Sequence, residues 1–450
     1  MEKSTCIFVA LSVLSLFVCS LGYDVKAQLE KYTPNYTIYH NISQINSDLS
    51  LLEKLHKDYI TLSHSFKSRK GMSQIFAKIS NSSQDASQST SKTKILLVFG
   101  EHAREFFPVE SMFYFLKNLT GGLPGSVRDN PGQKFSKWVL DNFDIHIICL
   151  ANPDGRDYVE KSNNYCWRGT SLGVDINRNF DWNYGGKGSS NDPSDGEYRG
   201  THVFSEPETA IFRKVTESTK YDAFLSFHSG IRHIYIPYAD SKSRLNHRSP
   251  SNKIDLLKLA SKMAKSSQAR PFKYGLAYDL NDYTADGTSF DFMAGVRKIP
   301  FSFAVEMWQH NHHLGKSCFD EFNPQSEALQ EELQLIHPLY VELLTFLHSW
   351  KKKQHRQKQI NIWKNQSLAR QKKDRYPRVP MRYDALFHSQ STREVPHQSA
   401  STSPLMYLFL LSLTVLFLVL GAKHICYMMR KKRVVNLRSL SSTFSMLKNL

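Results

Sequence analysis

Short, nearly continuous apolar runs punctuate the chain between Tyr36 and about Trp350: Lys94–Gly100 (KILLVFG), Asp144–Leu150 (DIHIICL), Ala223–Phe227 (AFLSF) and Pro300–Val305 (PFSFAV). Runs of this length with little polar alternation predict strands covered on both faces. Between them, Pro108–Leu119, Glu206–Thr219 and Asn252–Lys265 are amphipathic and predict helices. Strands alternating with helices imply an α/β fold, a single domain whose mixed, mostly parallel central sheet lies between helices. Asn81–Thr93 (NSSQDASQSTSKT) predicts a polar surface loop. No internal repeat is present.

Two further apolar stretches have a different character. Ile7–Leu21 follows Lys3 and ends in the small residues Ser20 and Gly22, the pattern of a secretory signal cut near Gly22. Leu405–Ala422 is uncharged throughout and, at about 1.5 Å per helical residue, reaches about 27 Å, close to a bilayer core. Lys423 can snorkel, which lets this transmembrane helix continue to Met429. Arg430, Lys431, Lys432 and Arg433 then act as a stop that keeps the C-terminus cytoplasmic. The expected organisation is a signal peptide at 1–22, a folded domain at 23–350, a basic polar stalk at 351–403, a transmembrane helix at 404–429 and a tail at 430–450.

Charge fits that map. The chain of 450 residues carries a formal +17, with 41% hydrophobic and 22% charged positions. Lys/Arg and Asp/Glu cancel over residues 1–350, and the excess lies in 351–403 and 423–450, on either side of the apolar stretch. The basic segments are therefore read as membrane topology, a type I single pass with the domain extracellular or luminal, and not as a nucleic-acid footprint. Cys149, inside an apolar run, reads as a buried free thiol, and Cys166 and Cys318 as a candidate disulfide. Asn35, Asn41, Asn81, Asn118 and Asn365 head N-x-S/T glycosylation sequences in the part expected to be luminal.

The polar residues that follow the strands carry the chemistry. Glu101–Glu105 follows the first run, His228 the third and Glu306 the fourth, and ligand crevices in open α/β sheets lie outside the carboxyl ends of strands. His102-Ala-Arg-Glu105 sets an imidazole and a carboxylate three apart, in a turn or at a helix start. A catalytic zinc accepts three such protein ligands and keeps one position open. Taken singly, His-x-x-Glu and a strand-ending His228 read as ordinary surface and core residues.

Their company changes that reading. Gly-Glu-His102-Ala-Arg104-Glu105, Asn-Pro-Asp154-Gly, Trp167-Arg168, Gly-Val-Asp175-Ile-Asn177-Arg178-Asn179, Phe-His228-Ser229 and Val-Glu306-Met occur in this order. The sequence resembles the carboxypeptidase A family of zinc metallocarboxypeptidases over roughly Tyr36–Trp350. The resemblance implies one Zn2+ per chain, held by His102, Glu105 and His228, with Asp175 fixing the His102 tautomer. It implies Glu306 as general base and Arg168 as the cation beside the developing oxyanion. Asn177 and Arg178 would grip a peptide's terminal carboxylate, Tyr283 would close over the bound substrate and Arg104 would touch it. The implied partners are peptide or protein C-termini.

Departures from the family limit the transfer. Gly230 stands where digestive relatives have a substrate-facing tyrosine. The segment between Arg168 and Asn177 is short and lacks a cysteine those relatives carry. Only about a dozen residues separate Gly22 from Tyr36, fewer than the folded inhibitory prosegment of many relatives needs, so activity without such a prosegment is expected. Phe290 matches the pocket position that is acidic in basic-specific relatives, so neutral or apolar C-terminal residues are the expected substrates. Alternatives remain: Phe290 filling the pocket and favouring small side chains, Asp282 or Asp286 recruiting Lys or Arg, a catalytically silent receptor on the same fold, and a different amide hydrolase on the same scaffold.

Overall fold

In the computed structural model, residues 34–81, 92–123, 132–267, 271–310 and 317–375 are described. Eight strands form one sheet: β1 (Ile60–Lys67), β2 (Ser73–Ile79), β3 (Thr93–Phe99), β4 (Phe143–Ile148), β5 (Ala223–His228), β6 (His233–Ile236), β7 (Lys273–Leu276) and β8 (Phe301–Glu306). Their spatial order is β1-β2-β4-β3-β5-β8-β6-β7. The four central strands, β4, β3, β5 and β8, run parallel. Antiparallel neighbours flank them, β2 beside β4 and β6 beside β8. The expected mixed, mostly parallel sheet is therefore present, and its four central parallel strands are the runs read from the sequence.

Alternation along these strands explains their continuous hydrophobicity. Ile95, Leu97 and Phe99 enter one apolar cluster, Leu96 and Val98 the other, because successive side chains point to opposite faces. The first cluster is closed by helices α1 (Ile42–Leu55), α2 (Phe107–Thr120) and α3 (Gly132–Asn142), and by α4 (Pro153–Ser162). The second is closed by α5 (Pro207–Ser218), through Ile211, Phe212 and Val215. Helix α6 (Lys253–Ser266) packs Leu256, Leu259 and Met263 against the first cluster. Helix α7 (Ser289–Gly295) gives Phe290, Phe292 and Met293 to the second. Helix starts are locally encoded. Asn41 and Gln44 exchange hydrogen bonds in a capping box, and Pro108, Pro153 and Pro207 occupy first-turn positions where no N–H is needed.

The last described helix, α8 (Pro338–Arg375), packs Leu339, Tyr340, Leu343 and Leu347 into the core. It then continues through the basic segment expected to begin a stalk at residue 351. No proline or glycine interrupts the chain between Pro338 and Pro377, and Lys, Gln and Arg are good helix formers. Cys166 and Cys318 form a disulfide, and Cys149 is a buried free thiol. The signal at 1–22, the apolar segment at 404–429 and the tail at 430–450 lie outside the described residues. Among the described residues no helix is long and apolar enough to cross a membrane.

Candidate active site

The carboxyl ends of β3, β5 and β8 meet at one cavity of about 820 Å³. His102–Glu105 is the turn leaving β3, and Ala103 N–H donates to Arg168 O at 2.9 Å, tying the turn to the next polar segment. His228 ends β5, Glu306 ends β8, and the two are register partners, so their side chains leave the same face of the sheet.

His102, Glu105 and His228 come together as a possible metal site, with one ligand atom from each inside a 4.8 Å span. They are 3%, 2% and 1% exposed. His102 Nδ1 is 2.7 Å from Glu105 Oε1, and His228 Nδ1 is 3.1 Å from both Glu105 Oε2 and His102 Nδ1. Asp175 accepts from His102 Nε2 at 3.2 Å, which leaves the Nδ1 lone pair of a neutral ring facing inward. Two imidazole nitrogens and a carboxylate thus converge with no donor between them except a titrating proton. Electrostatics tells the same story. Burial opposes ionisation of Glu105, but the charges and hydrogen bonds of His102 and His228 outweigh it and hold the carboxyl far below the usual range. Burial lowers His228, yet the bond and charge of Glu105 outweigh that and raise it to about 9. A pocket that attracts protons this strongly, from a nitrogen and oxygen donor set, fits a divalent cation such as zinc.

Asp175 links the metal site to two arginines. It is fully buried and accepts from Arg168 Nε at 2.8 Å and from the Asn177 N–H at 2.9 Å, with Arg178 Nη1 at 3.7 Å. Burial works against its charge, but Arg168, then His102 and Arg178, hold its carboxyl well below the usual range. Arg168 Nη1 reaches to 3.7 Å from Glu105. Arg178 is 4% exposed and donates to Gly188 O, Asn177 O and Glu197. The Asn177 amide oxygen accepts from Ser289 N–H at 2.8 Å, leaving its NH2 as the free end beside the cavity. Gly287 makes this approach possible: its φ is +79°, and a Cβ there would lie 2.3 Å from Arg178 O.

Glu306 lines the same cavity, and burial pushes its carboxyl up to about 7. Tyr283 stands at the wall, 59% exposed. Arg104 lines the cavity, donates to Cys166 O and lies over the Phe322 ring at 3.9 Å. Phe290 is buried beside Ala239, Ala277, Ala285 and Ala304, forming an apolar recess. The residues to which the resemblance gives a role therefore border or support one cavity. Asp282 and Asp286 do not line it. Asp286 accepts from Gly188 N–H, Ser241 N–H, Ser241 Oγ and Asn183, which spends its charge on a loop.

Two contributors, Phe322 and Glu197, escaped the sequence reading, and Glu101 entered it only as part of the polar segment after the first run, with no role. Phe322 fills the space beside Gly230, where a Cβ would sit 2.9 Å from its ring. Glu197 comes from a rim loop, and Glu101 lies beneath the metal site. Their only sequence signals were a cysteine four residues before Phe322 and the acid preceding His102.

The structure is an α/β protein with a buried two-histidine, one-carboxylate centre beside two arginines. Residues 45–335 match the model of the M14 peptidase family, described as zinc carboxypeptidase, and the chain belongs to that family. It is 28% identical over 285 residues to carboxypeptidase A1 of Bos taurus, across 61% of this chain and 64% of that protein. It is 27% identical over 281 residues to zinc carboxypeptidase A 1 of Anopheles gambiae, across 60% of each. The chain thus spans less than two thirds of the length of these relatives. The crystal structure of carboxypeptidase A from Helicoverpa armigera shares the fold, with a TM-score of 0.59 at 20% identity over 73% of this chain and 81% of that one. Zinc is the family's metal, and His102, Glu105 and His228 are the grouped residues able to hold it.

Proposed function

We propose that this protein is a metallocarboxypeptidase that removes the last residue of a peptide. The observation that carries the reading is the presence of Arg178, a buried cation, on the wall of the cavity that also contains the metal-ligand triad and Glu306. A planar guanidinium beside the Asn177 amide suits a carboxylate bound through paired hydrogen bonds. A mid-chain peptide bond carries no such anion, so the clamp selects chain ends.

Zinc held by His102, Glu105 and His228 would supply the Lewis acidity that polarises the scissile carbonyl and acidifies the attacking water. Glu306 takes one proton from that water as its oxygen adds to the carbonyl carbon, then returns it to the amine as the C–N bond breaks. A carboxyl pushed up to about 7 suits a group that must both accept and release a proton near neutral pH. Arg168, oriented by Asp175, faces the negative charge growing on the carbonyl oxygen. Tyr283 closes over the substrate and Arg104 contacts residues further from the cut.

The apolar recess around Phe290 supports neutral or apolar C-terminal residues, and the loop engagement of Asp286 weighs against selection of Lys or Arg. The sequence features of 1–22 and 404–429, together with the Cys166–Cys318 pair, support a secretory, membrane-anchored protein facing an oxidising compartment. Asn35 and Asn365 are exposed and available for glycosylation, whereas Asn118 gives its amide nitrogen to Tyr114 O. Incubating purified protein with mixed peptides and reading the products by mass tests the reading. Loss of single C-terminal residues that stops with a chelator supports it, and cuts at internal bonds refute it.

A further inference from the structure

Asp175 explains the orientation of His102, but no carboxylate bonds the Nε2 side of His228, the side turned away from Glu105. His228 Nε2 instead lies 2.7 Å from Ser226 Oγ. Ser226 is two residues earlier on β5, hence on the same sheet face, and its hydroxyl donates to Glu101 Oε1. Ser289 Oγ donates to the same oxygen at 3.1 Å. A serine has a single hydroxyl proton, and here Glu101 receives it. Toward His228, Ser226 can therefore only accept, so Nε2 carries the ring proton and Nδ1 turns its lone pair toward Glu105 and His102.

Resting on the zinc-site reading above, we propose that Glu101 is a positioning residue for the metal centre, holding His228 in its ligating tautomer through Ser226. Glu101 is 1% exposed, its Oε2 makes no hydrogen bond, and no Lys, Arg or His pairs with it among the described residues. The two histidine ligands are thus held by different devices. Asp175 grips His102 directly, and Glu101 reaches His228 by way of a hydroxyl. Neither Ser226 nor Ser289 is near Glu101 in sequence; the parallel pairing of β3 with β5 and the start of α7 bring them there.

The test measures zinc affinity of the full-length protein by competition with a chromogenic chelator, beside the absorption spectrum of the cobalt-substituted form. Glu101→Leu and Ser226→Ala remove the chain at its two ends, and Glu101→Gln keeps an accepting oxygen. Melting temperatures of the metal-free proteins report on folding, and Ser226→Ala carries the test if Glu101→Leu does not fold. Removing the partner of a ligating imidazole weakens metal binding by about 10–100-fold. The expected result is a loss of that size for Glu101→Leu and Ser226→Ala, with a changed cobalt spectrum, an unchanged melting temperature and substantial recovery in Glu101→Gln. Affinity within twofold of wild type, or a loss that only follows a fallen melting temperature, overturns the proposal. A wild-type protein that binds no zinc overturns the metal-site reading itself.

Discussion

Arg178 Nη2 lies 3.1 Å from Glu197 Oε1, so the buried arginine of the clamp is paired with a carboxylate from the protein's own rim loop. Glu197 is 43% exposed while Arg178 is 4% exposed, which makes the acid the movable partner. On the proposed reading, a peptide carboxylate entering the site takes its place. A half-exposed pair contributes no more than about 1 kcal/mol, so Glu197→Gln is expected to lower KM for free C-termini by about two- to fivefold and leave kcat nearly unchanged. Steady-state kinetics on one short peptide measures this, and an unchanged or raised KM contradicts it.

Glu306 is assigned the proton transfer, and that assignment separates binding from chemistry. Glu306→Gln preserves shape and removes the base. It should lower kcat by about 10²–10⁴-fold while zinc content and KM stay within a few-fold of wild type. Full turnover in this variant rules out Glu306 as the base.

On the proposed reading, the recess near Phe290 selects which residue is released. Phe290→Ala opens space among Ala239, Ala277, Ala285 and Ala304. The expected outcome is a kcat/KM shift toward bulky apolar C-terminal residues of about tenfold, since a few methylene-sized contacts are worth 1–3 kcal/mol in such a pocket. A panel of peptides differing only in the last residue reads it. Rapid release of Lys or Arg by the wild type would reverse the apolar assignment.

His146 in β4 sits 2.6 Å from the Tyr221 hydroxyl, and burial, followed by the charges of Lys78 and Lys94, lowers it from 6.5 to about 4. The folded protein keeps this ring neutral while the unfolded chain takes up a proton near pH 6.5. Its contribution is full above 6.5 and is lost as the pH falls from there toward 4. Between pH 6.5 and 5 the loss amounts to about 2 kcal/mol. Melting curves of His146→Phe should fall less steeply over that interval than those of the wild type, and parallel curves would refute the assignment.

Legibility followed the length of unbroken apolar runs. β3, β4, β5 and β8 were readable because both faces are covered and apolar residues run continuously. β1 (ITLSHSFK) is half exposed and rich in serine, and β6 and β7 have four residues each, so their pattern carries little signal. Helix α8 passed beyond the expected boundary because its exposed half has no apolar stripe to mark it. At the site, His102, Glu105, His228, Arg168, Asn177, Arg178 and Glu306 could be read because each sits in a short motif. Glu101, Glu197 and Phe322 depend on partners 80 or more residues away or on loop geometry. Ser226 lies 125 positions from Glu101, and only the pairing of strands makes that contact visible.

The central claim is a metal-dependent exopeptidase whose clamp recognises a terminal carboxylate. One peptide prepared twice, as the free acid and as the C-terminal amide, tests it most directly when product masses are followed in zinc, in chelator and after zinc is restored. The account predicts stepwise loss of single residues from the free acid, little or none from the amide, silence in chelator and recovery with zinc. Equal cleavage of the amide, products from internal bonds, or activity that ignores the chelator would contradict it.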